Sequence, residues 1–406
     1  MTNPNRPGIR RAAAVALDLL GVALWLALAV WVTRVARTPA EAAPVRDLLL
    51  MMGAVYALAR LLTVVQLWFV PAALLTAGTV TAVWSIGEVF SGAGGSLLGY
   101  ANAAAAFQLA CVAAGLMAVA RLRNPDLRVL AAAGTLACAF APWLNTAITS
   151  ALLALVLPVA LVARHLGWRV RGVVVWSAVA ALAVIAGTTA VAATYDGKGP
   201  LDWLVAQTLS GNRGQLWAEA LDAAVANPME GVGTSRFSQV SGTAGADLDL
   251  RWAHNAFLQI AAETGFPGMA LALSLLVWAF TRLWVGGRDA ATGVAAAGLA
   301  AMVVAASIDY VWHFPAVALA TAAIAGAGGG VARSGLTGST PRPAVGGQVE
   351  HRRPMHIDVT DQPASRLGYR AGKGGPMRDR DVRAGTDEVD DAVWPRPLDG
   401  SGRRDL

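Results

Sequence analysis

Long apolar stretches alternate with short charged ones along this chain. Ten stretches carry almost no charge and are apolar on every face: 12–32, 48–64, 67–86, 97–120, 129–141, 143–163, 173–193, 266–284, 290–308 and 314–331. Most come close to or exceed the roughly 20 residues that a helix needs to cross a bilayer. Length also divides runs that are continuous in hydropathy. Between 48 and 89 the only charges are Arg60 and Glu88, and one helix of that length would reach roughly 63 Å, twice a single crossing. A turn at 60–66 resolves this, and Pro142 and Asn145 divide 129–163 in the same way. The alternating ten-residue segments of a membrane barrel are missing. The pattern predicts an all-α, polytopic membrane helix bundle with about ten transmembrane helices.

The polar remainder divides the chain into four parts. Residues 1–193 form an N-terminal bundle of about seven spans, 194–264 one long loop with short helices, 265–333 a C-terminal bundle of about three spans, and 334–406 a tail. The tail is rich in Gly, Pro, Arg and Asp and too poor in large apolar residues to fold alone. Alternate connections carry Arg121, Arg123 and Arg128, then Arg164, Arg169 and Arg171, then Arg282 and Arg288. Arginine of this kind marks the cytoplasmic side. It places both termini in the cytoplasm and the long loop outside the plasma membrane. The first connection, with Arg34, Arg37 and Arg46 against Glu41 and Asp47, departs from the rule.

Composition narrows the classes further. Hydrophobic residues make up 56% and charged residues 14%, which excludes an ordinary soluble domain. The formal charge of +6 comes from arginines in short connections and the tail, so it does not point to nucleic acid. Cys111 and Cys138 lie in apolar segments without CxxC spacing, and neither a disulfide framework, a metal nor another cofactor is indicated.

Candidate chemistry gathers in the long loop. Asn212 is expected to cap a helix in which Leu216, Trp217, Ala220, Leu221, Ala224 and Val225 form one apolar stripe opposite Glu219 and Asp222. This helix is expected to lie on the membrane surface. Asn227-Pro228 ends it, and Gly231-Val232-Gly233 reads as a turn. A second helix is expected over 253–264, with Asn255, Gln259 and Glu263 on its polar side, before Gly265, Pro267 and Gly268 break the chain and start the next span. Arg213 at a helix N-terminus suits phosphate oxygens, although a snorkelling arginine would look the same. His254 is a proton acceptor near neutral pH at the membrane boundary, or a capping histidine. Asp18 is an intramembrane charge, functional by default, and close enough to the inner arginines to serve equally as an anchor. Asp309 and His313 stand at the outer end of a span and either line the same cavity or cap helices. Glu88 reads as a solvated boundary residue.

These motifs, taken in order, resemble the bacterial O-antigen ligase and polymerase family. The resemblance rests on Gly211-Asn212-Arg213-Gly214-Gln215-Leu216-Trp217, Asn227-Pro228-Met229-Glu230-Gly231-Val232-Gly233, His254-Asn255-Ala256-Phe257-Leu258-Gln259 and Glu263-Thr264-Gly265-Phe266-Pro267-Gly268. Tyr100-Ala101-Asn102-Ala103 upstream and Asp309-Tyr310-Val311-Trp312-His313-Phe314-Pro315 downstream extend it. The resemblance implies a membrane glycosyltransferase fold of the GT-C-like kind. It implies transfer of a glycan from a polyprenyl diphosphate carrier to a glycan, lipid or protein hydroxyl, without metal or nucleotide sugar, in cell-envelope polysaccharide synthesis. Arg213 would bind the diphosphate and His254 would be the general base. Asn255 would orient the imidazole or a sugar hydroxyl, or cap its own helix, and Asn102, Asp309 and His313 would line the substrate site. The family's second arginine, from an S-R-G segment, is replaced here by Ala151. Either Arg236, Arg251 or Lys198 substitutes for it from the loop, or the donor and acceptor differ, or this member has lost the reaction.

Two rival readings use the same residues. A lipid-linked glycan carrier or flippase would place its ionisable groups near the midplane on broken helices, whereas these gather in the loop. An inactive family member acting as a scaffold in an envelope-polymer assembly is a reading that Ala151 keeps open. The topology itself is open to test: reporters fused near Gly242 should read outside and those fused after Gly335 inside, and both on one side would defeat the ten-span arrangement.

Overall fold

In a computed structural model, residues 7–65, 69–91, 98–144, 147–165, 168–199, 211–247, 250–287 and 289–329 are described. The expected tail at 334–406 lies outside them. The described residues build an all-helical bundle: α1 (Pro7–Val35), α2 (Pro39–Val64), α3 (Phe69–Ser91), α4 (Ala101–Arg121), α5 (Pro125–Leu144), α6 (Ile148–His165), α7 (Val170–Thr194), α8 (Gly211–Ala226), the short α9 (Phe237–Val240) and α10 (Gly242–Ala246), α11 (Ala256–Gly286), α12 (Ala290–Ile308), a 3-10 turn (Val311–His313) and α13 (Pro315–Gly328). The described residues of the ten expected apolar stretches lie mostly on helices, with 143–163 divided between the end of α5 and α6. Seven of these helices, α1, α3, α4, α5, α7, α11 and α12, are long and apolar enough to cross a membrane, and 149–163 and 315–328 are shorter apolar helices.

Helices α4 and α12 form the centre. Every residue from Ala103 to Ala118 of α4 is buried, and nearly all of α12 is buried as well. Both are rich in alanine, which lets helix backbones approach closely where lipid offers no hydrophobic drive between helices. The outer helices are apolar outward too: Leu19, Val30, Val129, Leu136, Leu155 and Trp176 are exposed. A surface this apolar is suited to lipid rather than water.

The stripe on α8 is buried by protein. Leu216, Trp217 and Ala220 are in one core with Ala192 of α7, Phe237 of α9, and Leu258 and Ala262 of α11. This corrects the expectation of a helix lying on lipid: stripe periodicity shows that a face is covered, not what covers it. The helix also begins at Gly211, which puts Asn212 inside its first turn and not at the cap.

Near its start α11 is interrupted. Gly265 adopts φ 68°, ψ −177°, a region open essentially to glycine alone. Around this break the 228–233 turn supplies new backbone partners: Val232 N–H donates to Ala262 O (2.8 Å), Gly233 N–H to Glu263 O (3.1 Å), and Phe266 N–H to Pro228 O (2.8 Å). From α1, Trp31 Nε1 donates to Thr264 O at 2.9 Å. The fit allows no side chain, since a Cβ on Gly231 would fall 2.4 Å from Glu263 C and one on Gly265 2.6 Å from Met229 C. The loop motifs around Gly231 and Gly265 are therefore two halves of one interlock. Gly265→Ala should cost at least the roughly 1–3 kcal/mol of a forbidden backbone conformation, visible as a lower melting temperature in detergent. An unchanged melting temperature would show that the interlock does not hold the fold.

Candidate functional site

Beside this interlock the chain sets His254 by its backbone first. His254 has φ 53°, an uncommon left-handed conformation for a residue other than glycine. The conformation is held from both sides. Ala253 N–H donates to Gln259 Oε1 (2.9 Å), and Trp217 Nε1 donates to the His254 carbonyl (3.2 Å). Asn255 caps α11, its Oδ1 accepting from the amides of Phe257 and Leu258, and its Nδ2 donates to Thr188 Oγ1 of α7. Of its open roles the structure assigns capping.

The carboxylate of Asp309, at the C-terminal cap of α12, gathers the polar side chains. His254 Nδ1 lies 3.1 Å from its Oδ1. Arg213 of α8 donates through Nη2 to Oδ2 (3.2 Å) and through Nη1 to the Ile308 carbonyl (2.8 Å). Tyr100 Oη and Asn102 Nδ2, at the start of α4, donate to Oδ2 at 2.8 and 2.7 Å. Burial alone would raise the Asp309 pKa, but the hydrogen bond from His254 and the charge of Arg213 outweigh it and hold the carboxyl below its usual range. An ionised carboxylate only accepts, so His254 Nδ1 is the donor in this hydrogen bond. Nε2 is buried and has no partner among the described residues. The arrangement offers a proton acceptor, a cation and an orienting carboxylate at one helix-end cluster.

Aromatic rings wall this cluster. Tyr310 meets the His254 ring edge-on at 4.6 Å and stacks on Tyr100 at 4.8 Å. Trp252 packs on His313 at 4.1 Å. Burial, followed by the nearby His254, pushes the His313 imidazole down to about 4 even though its Nδ1 donates to the Tyr310 carbonyl. His313 is thus a neutral wall residue here. Of the other expected cations, Arg236 pairs with Glu41, its Nη1 3.5 Å from Glu41 Oε1 in the α1–α2 region, and Lys198 is exposed in the turn after α7. Arg251 adjoins Trp252 and is exposed. Ala151 is fully buried in α6. Tyr100, Trp217, Gln259 and Tyr310 were not among the expected site residues. Tyr100 and Tyr310 had a sequence signal, since each adjoins an expected polar residue in a motif.

Residues 134–273 match the family model described as O-antigen ligase. This stretch is similar to the O-antigen ligase family. No curated protein matches the chain. Within the matched stretch stand Arg213, His254, Asn255 and both halves of the interlock, whereas Tyr100, Asn102, Asp309 and His313 come from outside it. The nitrogen NMR signals of His254 in histidine-labelled protein should show the Nδ1-protonated tautomer, and Asp309→Asn should remove that bias because an amide can also donate. An Nε2-protonated wild type would refute the assignment.

Proposed function

We propose that this protein is a membrane glycosyltransferase that moves a glycan from a polyprenyl diphosphate carrier to an acceptor hydroxyl at the outer membrane face. The observation that supports the reading is that His254 Nε2 has no partner among the described residues, while Asp309 orients the ring beside Arg213. In the proposed step Nε2 takes the proton of the acceptor hydroxyl while its oxygen attacks the anomeric carbon from the side opposite the carrier. The carbon–oxygen bond to the diphosphate breaks, its electron pair leaves with the diphosphate, and the configuration inverts. Arg213 faces the growing negative charge: described residues engage two of its five N–H donors. A positioned base contributes roughly 10² to 10⁴ in rate, and preorganised positive charge at the leaving group acts only as charge develops.

The polar cluster sits where helices end, at the start of α4, α8 and α11 and the end of α12. That favours an enzyme over a carrier, whose ionisable groups belong near the midplane. The inactive-scaffold reading draws on Ala151, buried where the family's second arginine is expected. Transfer from a purified polyprenyl-diphosphate glycan, in detergent with chelator present, separates these readings. His254→Ala should lose roughly 10² to 10⁴ in turnover with insertion unchanged. Arg213→Lys should also be impaired, since an ammonium lacks the planar two-point grip. Near wild-type turnover in His254→Ala would remove the base assignment, and an inactive wild type with cognate substrates would favour the scaffold.

A further inference from the structure

A second charged cluster lies near the far end of α11, and the proposed reaction does not use it. Arg282 Nε donates to Asp18 Oδ1 of α1 at 2.6 Å, and Arg60 Nε of α2 lies 3.5 Å from Asp18 Oδ2. The Arg282 and Arg60 side chains are only 1% and 9% exposed, whereas Asp18 is 33% exposed. Among the described residues, two guanidinium groups thus share one carboxylate, which leaves the cluster one positive charge in excess. Arg60 Nη1 is buried with no hydrogen-bond partner among the described residues. An uncompensated charge between apolar helices is costly, so the cluster calls for a second anion.

The adjoining space suits an amphiphilic one. A cavity of about 500 Å³ between α1 and α2 has Asp18 and Arg60 in its wall together with Val22, Leu26, Leu50 and Gly53. An anion with a hydrocarbon chain matches both parts: the head answers the excess charge, and the chain fills the apolar trough. Arg60 and Arg282 each lie little more than a turn from their helix ends, a depth suited to a lipid headgroup. Arg121 and Asp289 pair at the same end of the bundle, which the arginine distribution assigns to the cytoplasmic leaflet. Basic pockets between helices on that side are suited to anionic lipid heads.

We infer that the groove between α1 and α2 is a binding site for an anionic phospholipid, with its phosphate at Arg60 and an acyl chain along Val22, Leu26 and Leu50. The site is independent of the proposed transfer chemistry. It is tested by thermal unfolding of the detergent-purified full chain with added phosphatidylglycerol, phosphatidylcholine or millimolar inorganic phosphate. Phosphatidylglycerol should raise the melting temperature by several degrees through preferential binding to the folded state, while the other two leave it nearly unchanged. Arg60→Gln should abolish the difference between the lipids. Gly53→Leu should abolish it too without touching a charge, since a Cβ there has room at 3.6 Å from Trp25 and the added side chain would fill the trough. That second variant carries the test if Arg60→Gln fails to fold. Equal shifts with both lipids, or a phosphatidylglycerol shift that survives Gly53→Leu, would overturn the site. An equal shift with inorganic phosphate would overturn the lipid as its ligand.

Discussion

Breaking a helix inside a membrane protein frees backbone groups that water cannot reach, and each costs about 1–3 kcal/mol if left unpaired. At Gly265 the chain meets this constraint by borrowing partners. Pro267 has no N–H, so the Glu263 carbonyl would lack its usual helical donor even without the break; Gly233 supplies one. Val232 takes the Ala262 carbonyl, and Pro228 accepts from the Phe266 amide that the break released. The break, in turn, lets the first turns of α11 lean away from the line of the span. Those turns carry the cap of Asn255 and the Gln259 side chain that holds Ala253. The placement of His254 thus depends on backbone pairing about ten residues away.

Asp309 imposes a second constraint, one of charge. Its carboxylate is nearly buried, and isolated it would be strongly disfavoured in the ionised form. Four donors from three other parts of the chain offset that cost: His254, Arg213, and the Tyr100–Asn102 pair. The tautomer of His254 follows from this balance, because the carboxylate needs a donor where Nδ1 stands. A buried network of this kind is informative about geometry more than about stability, since an ion pair replaced by apolar side chains is often no less stable.

The helices were legible in the sequence because lipid and protein interiors demand the same thing of a span, an uninterrupted apolar run. For the same reason the sequence did not distinguish lipid from protein on the covered face of α8, where Leu216 and Trp217 meet α7 and α11. His254 and Arg213 were legible as candidate polar groups of the loop, and Gly231 and Gly265 as breaks. That the two glycines meet was not, because backbone-to-backbone pairing leaves no mark on side-chain pattern. Asp309 read as a lining or capping residue. Its central place comes from tertiary approach across 55 residues to His254 and 96 to Arg213, which no local periodicity encodes. Asp18 read as either functional or anchoring, and its partner in α11 lies 264 positions away.

Helix α1 sets where α11 stands along the bundle. At one end Trp31 Nε1 donates to Thr264 O beside the break, and Thr234 Oγ1 of the segment between α8 and α9 donates to Val32 O. At the other end Trp278 Nε1 donates to Leu17 O and Arg282 grips Asp18. Between these ties lie about 18 residues of α11, roughly 27 Å at helical rise, close to the hydrocarbon thickness of a bilayer. Polar contacts between membrane helices are individually modest, about 0.6 kcal/mol on average. Two sets separated by nearly a bilayer's depth nevertheless oppose sliding and tilting together, because either motion that relaxes one set strains the other. His254 precedes the first turn of α11, so its depth is fixed by the same brace. Precise depth matters to the transfer proposed above, since a displacement of a single helical turn, about 5.4 Å, would move His254 beyond hydrogen-bond reach of a hydroxyl.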